Sequence, residues 1–268
     1  MTPADLTRLE TWLDAFVQGF YRRDPVYDRP VRLKYDHSLR VRDDIRMLGG
    51  RLGLPEPQLR LAQAAALMHD VGRFPQYARY GTFLDRASAN HAHLSLRTMA
   101  AQRVLHALPR DERRLVIRAV AFHNAARLPD EPPGFGRLLM RLLRDADKLD
   151  IWKVVTDYYD RRREAPDPVI ELGLPDPPTC SPAAIKSLAA GRMVDLADLR
   201  CLNDFKLLQL GWVFDLNFQP AFQALQARGY IPKITASLPP VQGLDAALER
   251  VRRRVAAGCA APGGAPGV

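Results

Sequence analysis

A histidine and an aspartate stand side by side at the end of an apolar, alanine-rich segment. The pair is His69-Asp70, it follows three alanines, a leucine and a methionine, and Gly72 comes two residues later. If the segment is helical, Ala65 and Ala66 share the face of His69, so neighbouring helices can approach closely there. Imidazole and carboxylate ligands suit Fe, Mn, Zn or Mg better than metals that prefer thiolates. The pair therefore predicts part of a metal site.

Further histidines and an aspartate lie on the apolar faces of separate helix-like segments. The spacing of apolar residues in each segment turns these polar side chains inward. Burying so many titratable groups without a cation is costly, whereas one or two metal ions would satisfy all of them. The predicted inward-facing set is His37, His69, Asp70, His91, His123 and Asp147.

The elements that must position these residues are predicted to be helices throughout. Thr2, Pro3 and Asp5 supply the first helix with an N-cap, a first-turn proline and an acid. No segment shows the alternation of a strand, and no internal repeat is found. The sequence therefore predicts an all-α fold. The predicted helices cover about residues 3–21, 31–52, 57–69, 90–108, 110–124, 138–163, 182–190, 195–217, 219–228 and 244–257.

Two connections divide the predicted helices. Residues 71–89 form a long connection, which in a compact helical protein is more often functional than idle. A second segment, from Arg163 to Pro182, holds six prolines and one glycine. The predicted organisation is a metal-binding helical core at 1–163, a proline-rich loop at 164–182, a C-terminal helical extension packed on the core at 183–257, and a disordered tail at 258–268.

Composition narrows the class of partner. The net charge of +9 favours an anionic ligand, but basic and acidic residues are interleaved and no nucleic-acid-binding motif accompanies them. Nucleic acid is therefore not expected as the main partner. No signal peptide and no membrane-spanning segment is predicted, so no membrane association is expected. Cys180, Cys201 and Cys259 form no CxxC pattern and are predicted to be unpaired thiols in the reducing cytoplasm.

The order of the inward-facing residues resembles the HD-domain superfamily of metal-dependent phosphohydrolases. The closest likeness is to the variant with two extra histidines, which usually holds a binuclear centre. Four surrounding segments resemble a group of bacterial HD proteins of undefined substrate: KYDHSLRV at 34–41, HDVGRF at 69–74, YGTF at 80–83 and DADKLD at 145–150. The segment WVFDLNF at 212–218 resembles the C-terminal part of the same group. The expected architecture is thus an HD-domain helical bundle with additional C-terminal helices.

The resemblance implies a role for each inward-facing residue. Two divalent metals are implied, with Fe or Mn expected first and Mg, Zn, Ni or Co also suited. The first metal would be held by His37, His69, Asp70 and Asp147. Asp70 would bridge to a second metal, held by His91 and His123.

Two ligand positions have alternatives. His93 lies two residues after His91, and on a helix the two side chains project about 200° apart, so only one can face the site. We expect that residue to be His91. Asp145 and Asp150 lie on either side of Asp147 and could replace it as a ligand.

The chemistry implied by the resemblance is hydrolysis of a phosphate ester or anhydride by metal-activated water. The substrate would be a small phosphorylated metabolite or a nucleotide. Asp70, Lys148 and Arg73 are the predicted catalytic residues, the two cations taking up charge that develops at phosphorus. No GYP motif is present, which disfavours cleavage of cyclic di-GMP. Two alternatives are a di-iron oxygenase of the HD type and a non-catalytic nucleotide-sensing module, and the oligomeric state, a homo-oligomer included, is left open.

Overall fold

The structure, a computed structural model, describes residues 1–130, 132–162 and 167–261, without the side chains of residues 168 and 169. Within this part of the chain the regular structure is entirely helical and contains no strand. The predicted all-α fold is therefore confirmed. None of the described helices is both long enough and apolar enough to cross a membrane.

The chain divides into two compact units, residues 1–150 and 151–264, and the division falls inside one long helix. Helix α3 is central to the first unit, where it packs against α1, α2 and α6, while α5 packs against α4 and α6. The elements of this unit are α1 (Pro3–Gln18), α2 (Pro25–Arg51), α3 (Glu56–Met68), α4 (Arg73–Tyr80), α5 (His91–Ala101), α6 (Arg110–Phe122) and most of α7 (Phe135–Tyr159).

Helix α3 is buried because its sequence is apolar on nearly all sides. Every residue from Leu61 to Met68 is buried, including a run of three alanines at 64–66. Small side chains let the flanking helices approach closely, and a helix that is apolar all round belongs in a core. The residues that follow α3, His69 and Asp70, therefore lie in the interior of the first unit.

The second unit is also helical. Helix α10 is buried along its whole length and packs against α9, while α13 packs against α9 and α11. The helices of this unit are α8 (Pro168–Glu171), α9 (Pro182–Ala189), α10 (Leu202–Gly211), α11 (Gln219–Ala227), α12 (Tyr230–Ala236) and α13 (Leu244–Ala260).

The observed bounds differ from the predicted ones at several points. Helix α2 begins at Pro25, six residues before its predicted start, because Asp24 caps it and Pro25 occupies the first turn, where proline is tolerated. Helix α4 lies within the predicted connection at 71–89. The predicted helix 195–217 is divided into a short 3₁₀ turn, α10 and a second 3₁₀ turn. Helix α12 was not predicted.

The predicted domain boundaries stay predictions. A short helix, α8, lies inside the segment predicted as a proline-rich loop. Helix α13 extends to Ala260, so it includes the first residues of the predicted disordered tail. Residues 262–268 of that tail lie outside the described residues.

Candidate metal centre

The six predicted inward-facing residues meet at one place in the first unit. Their nitrogen and oxygen atoms form three overlapping groups, and within each group the ligand atoms lie within 4.8 Å of one another. Each element contributes at a point where it approaches the centre. His37 lies in the middle of α2, His69 and Asp70 follow α3, His91 begins α5, His123 follows α6 and Asp147 lies in α7.

Asp70 lies between two pairs of histidines. Its Oδ2 is 3.6 Å from Nε2 of His37 and 3.8 Å from Nε2 of His69. Its Oδ1 is 3.6 Å from Nε2 of His91 and 3.8 Å from Nε2 of His123. The two oxygens of one carboxylate thus face two separate sets of imidazole nitrogens.

The second carboxylate of the centre, Asp147, also approaches these histidines. Oδ1 of Asp147 is 3.2 Å from Nε2 of His37 and 3.7 Å from Nε2 of His69. The Nε2 atoms of His37 and His69 are 3.2 Å apart, and those of His91 and His123 are 3.0 Å apart. Asp147 forms a group with His69 and His123, one histidine from each pair, so both carboxylates lie between the two pairs.

The outward nitrogens of two histidines are held by the helices that precede them. Nδ1 of His69 donates to the carbonyl of Ala66 at 2.6 Å, and Nδ1 of His123 donates to the carbonyl of Val120 at 2.8 Å. A carbonyl can only accept, so Nδ1 carries the proton in both residues. In the neutral rings Nε2 therefore presents a lone pair toward the centre.

Carboxylates hold the outward nitrogens of the other two histidines. Nδ1 of His37 donates to Asp150 at 2.6 Å, and Asp150 also accepts from Arg40 at 2.5 and 3.0 Å. Nδ1 of His91 donates to Asp85 at 2.6 Å. Partners of this kind fix the tautomer of metal-binding histidines and make them better ligands. Asp150 thus contacts the outward nitrogen of His37, whereas Asp147 contacts its inward nitrogen, Nε2.

Asp85 was not predicted as a site residue. It lies in the connection between α4 and α5, six residues before the histidine that it contacts. The length of that connection was the only sequence feature that pointed to it.

Gly72 brings the start of α5 against the His69-Asp70 turn. A Cβ atom at this position would lie 2.3 Å from the Ser95 nitrogen and 2.6 Å from the His91 carbonyl oxygen. The Gly72 amide donates to the Ser95 hydroxyl at 2.9 Å, and that hydroxyl donates to the His69 carbonyl at 2.7 Å. The absence of a side chain therefore lets His91 reach the centre.

Lys34 is a cation at the centre that was not predicted as a functional residue. Its Nζ donates to Oδ2 of Asp70 at 2.9 Å and lies 5.6 Å from the ring centroid of Phe83. Burial raises the pKa of the Asp70 carboxyl, but the positive charge of Lys34 and neighbouring groups hold that pKa well below its usual range. Asp70 is therefore ionised at neutral pH.

The Arg73 side chain forms hydrogen bonds with the connection that contains Asp85. One guanidinium nitrogen donates to Gln76 at 2.9 Å, to the Phe83 carbonyl at 2.5 Å and to Asp85 at 2.9 Å. The Nε atom lies 3.5 Å from Oδ1 of Asp70. Arg73 thus ties the residue behind His91 to the centre, besides adding positive charge there.

The predicted catalytic residue Lys148 is buried on α7. Its Nζ donates to the carbonyl of Arg144, one turn earlier in the same helix, at 3.4 Å. The catalytic role of Lys148 stays a prediction.

The two histidines near the start of α5 are separated as their spacing predicts. His91 is buried and contacts the centre, whereas His93 is exposed. The Asn90 side chain caps α5 by accepting from the His93 amide at 3.1 Å.

The histidines of the centre differ in the direction of their pKa shifts. Burial lowers the pKa of His91 and of His123 to about 4, so both are neutral at physiological pH. Burial also opposes protonation of His37, but hydrogen bonds to Asp147 and Asp150 outweigh it and raise the pKa to about 9. These carboxylates favour positive charge at this point, which either a proton or a metal cation supplies.

The donors present fit divalent metal ions. Oδ1 of Asp70 is buried and accepts no hydrogen bond from the described residues. The Nε2 atoms of His91 and His123 face each other at hydrogen-bond distance, although neither carries a proton when the rings are neutral. A cation bound by these three atoms would satisfy them together, and an N/O donor set suits Fe, Mn and Zn.

Comparison with known proteins supports the same class. Residues 35–161 match the family model of the HD domain, and all six clustered residues fall within that range. This segment of the chain is an HD domain, the domain of a superfamily of metal-dependent phosphohydrolases. No curated protein and no solved structure matches the chain.

Proposed function

We propose that this protein is a phosphohydrolase that uses two divalent cations, which the histidines and aspartates around Asp70 would hold. The observation that carries the proposal is the position of this carboxylate between two histidine pairs, with Oδ1 buried and without a hydrogen bond from the described residues. The proposed ligands of one cation are His37, His69, Asp70 and Asp147, and those of the other are Asp70, His91 and His123. Fe or Mn is the proposed native metal, because both accept mixed imidazole and carboxylate ligands.

Divalent cations bound in such a site polarise a phosphoryl oxygen and make water more acidic. The proposed reaction places the hydroxyl of water on phosphorus and breaks a phosphorus–oxygen bond, and the leaving oxygen takes up a proton. The proposed substrate is a phosphate ester or anhydride of a small metabolite or nucleotide. The chain's contribution is to hold Asp70 ionised and to fix the orientation of each imidazole through its outward nitrogen.

Lys34 is the cation that we assign to the substrate phosphate. Its amine lies 2.9 Å from Asp70, and 18% of its side-chain surface is exposed, so it faces both the centre and solvent. A cation in this position stabilises negative charge that develops on phosphoryl oxygens. We assign Arg73 a positioning role through Asp85, since one of its nitrogens is already shared among three acceptors.

The proposal is tested by loading the purified protein with Mn or with Fe and measuring phosphate release. Suitable substrates are p-nitrophenyl phosphate and a panel of nucleotides, assayed for phosphate, and bis(p-nitrophenyl) phosphate, assayed for p-nitrophenol, with Asp70→Asn as the control. Metal-dependent release of product, lost in the control, is expected. Dioxygen consumption by the Fe-loaded protein without phosphate release would instead support the oxygenase, and nucleotide binding without turnover would support the sensing module.

A further inference from the structure

A cavity lies within the second unit of the chain, and none of the six residues of the candidate metal centre lines it. Its volume is about 700 Å³, and its walls come from the end of α7, the segment 176–178, α10 and the end of α12. Cavities of this size hold small organic molecules. Lys206, a lysine that the proposed phosphohydrolase mechanism does not use, lies in its wall.

Lys206 is buried with its charge only partly compensated. The side chain is 4% exposed, and its Nζ donates to Oδ1 of Asn203 at 3.1 Å and to the Ser237 carbonyl at 2.8 Å. The ammonium also lies 5.2 Å from the ring centroid of Tyr159. Among the described residues no carboxylate comes within ion-pair distance of it. A buried ammonium with three donors and no counterion is unfavourable unless an acceptor completes its shell.

The acidic residues in the cavity wall are paired with other cations. Asp176 forms an ion pair with Arg162 at 2.6 Å, and Asp160 forms one with Lys233 at 3.3 Å. The charged residues of the lining are two acidic ones, Asp160 and Asp176, and three basic ones, Arg161, Arg162 and Lys206. The wall therefore carries an excess of one positive charge.

Another residue of α10 has a buried donor without an acceptor among the described residues. Asn203, Lys206 and Gln209 follow one another at intervals of three residues, so they share one face of the helix. The Tyr159 hydroxyl donates to Oε1 of Gln209 at 3.1 Å, which leaves the buried Nε2 of Gln209 without an acceptor among the described residues. Gln209 is not among the residues that line the cavity, so Lys206 is the charged donor that α10 presents to a ligand there.

We propose that this cavity binds a small organic anion whose carboxylate or phosphoryl oxygens accept a hydrogen bond from Lys206. The organic part of the ligand would contact the apolar wall formed by Pro177, Pro178, Leu238 and Pro239. Burial lowers the pKa of Lys206, and a bound anion would oppose that shift by stabilising the ammonium. The site is independent of the proposed metal centre.

Ligand-observed NMR titration tests the proposal with two probes, benzoate and phenylphosphonate. The probes share a phenyl ring and differ in the anionic group, so the one that binds identifies the chemistry. We expect Lys206→Met to raise the dissociation constant by about tenfold or more, because a charged hydrogen bond is lost. Lys186→Met is the matched control, since it removes the same charge from an exposed position outside the cavity.

Two further variants keep the test decisive. Ala236→Trp fills the cavity from an exposed wall position, so it should abolish binding even if Lys206→Met does not fold. Asp70→Asn should leave binding intact, because Asp70 does not line the cavity. A phosphonate that bound at the proposed metal centre would instead be lost in that variant. Equal binding to wild type, Lys206→Met and Ala236→Trp would overturn the proposal. Absence of binding of both probes to wild type up to about 10 mM would also overturn it.

Discussion

Each oxygen of the Asp70 carboxylate faces a different pair of imidazoles, and Lys34 contacts one of the two oxygens. A buried carboxylate needs compensation by positive charge. Lys34 supplies part of that charge through a hydrogen bond to Oδ2, whereas Oδ1 has Nε of Arg73 at 3.5 Å and accepts no hydrogen bond from the described residues. This asymmetry leads to two different expectations for substitutions at the centre.

The first prediction concerns Lys34. Lys34→Met should lower kcat/KM for phosphate release by about tenfold to a thousandfold, because a charge that stabilises phosphoryl oxygens is removed. The metal content should not change, since Lys34 donates no ligand. The measurements are steady-state kinetics and metal analysis of the same sample, with Lys153→Met, an exposed lysine of α7, as the control. Unchanged kinetics would remove Lys34 from the mechanism.

The second prediction concerns the carboxylates behind two histidines. Asp85→Asn should weaken binding of the cation at His91 and His123, and Asp150→Asn should weaken binding of the cation at His37 and His69. Loss of such a partner typically lowers metal affinity about 10- to 100-fold, because the imidazole loses its fixed tautomer and some basicity.

Competition with a chromophoric chelator measures this effect. Each variant should release one metal equivalent before the other. If both variants bound both metals with the affinity of wild type, the proposal that Asp85 and Asp150 orient the histidines would be wrong.

Two histidines of the centre each follow a helix directly and form a hydrogen bond with a carbonyl near the end of that helix. His69 follows α3 and His123 follows α6, and each donates Nδ1 to a carbonyl three residues earlier. The last carbonyls of a helix lack partners within the helix, so a following histidine can use one of them. The ring is thereby fixed with Nε2 directed away from its own helix. Helix termination thus sets both the tautomer and the direction of the ligand atom.

The third prediction concerns the contact between the His69-Asp70 turn and α5. Gly72→Ala should lower the free energy of unfolding by about 1–3 kcal/mol or more, because the new Cβ meets backbone atoms that cannot move away cheaply. Gly50→Ala is the matched control. It also replaces a glycine by alanine, inside α2, but a Cβ atom at this position meets nothing within 4 Å. It should be neutral or stabilising by up to about 1 kcal/mol. Urea denaturation distinguishes the two, and equal effects would contradict the packing argument.

The fourth prediction concerns the cap of α10. The Asp204 carboxylate accepts from the Ser181 amide at 2.6 Å, the Ser181 hydroxyl at 2.6 Å and the Arg200 amide at 2.9 Å. Burial opposes its ionisation, but these hydrogen bonds lower the pKa of Asp204 below its ordinary value. The stabilisation is therefore present above the ordinary pKa and is lost as the pH falls through the lower folded-state pKa.

Asp204→Asn should consequently destabilise the protein by about 1 kcal/mol at pH 7 and by less in acid. The measurement is the urea midpoint of both proteins at neutral pH and near pH 3. The same difference at both pH values would show that ionisation of Asp204 does not contribute.

Much of the helical architecture is predictable from the spacing of apolar residues, but contacts distant in sequence are not. The segments of α3, α6 and α11 are predicted closely because each has a regular pattern and clear ends. The start of α2 is obscured by prolines, which read as a break although the first turn tolerates them. Likewise, six inward-facing residues follow from periodicity, whereas the approach of Lys34 to Asp70 depends on tertiary packing across 36 residues.

At the scale of the whole molecule, the two candidate sites belong to different units. All six proposed metal ligands lie between residues 37 and 147, in the first unit, and the cavity at Lys206 lies in the second. The excess of basic residues suits an anionic ligand at either site. Substitutions at Lys206 should therefore leave metal content unchanged, and substitutions at Asp70 should leave anion binding unchanged.

The most direct test of the account is the metal content of the protein purified without chelators or a histidine-rich tag. Inductively coupled plasma mass spectrometry should find two equivalents of Fe or Mn per chain in wild type. Asp70→Ala should lose both, because its carboxylate is shared, whereas His91→Ala should lose one. Fewer than two equivalents in wild type after reconstitution, or two equivalents retained by Asp70→Ala, would contradict a binuclear centre organised around Asp70.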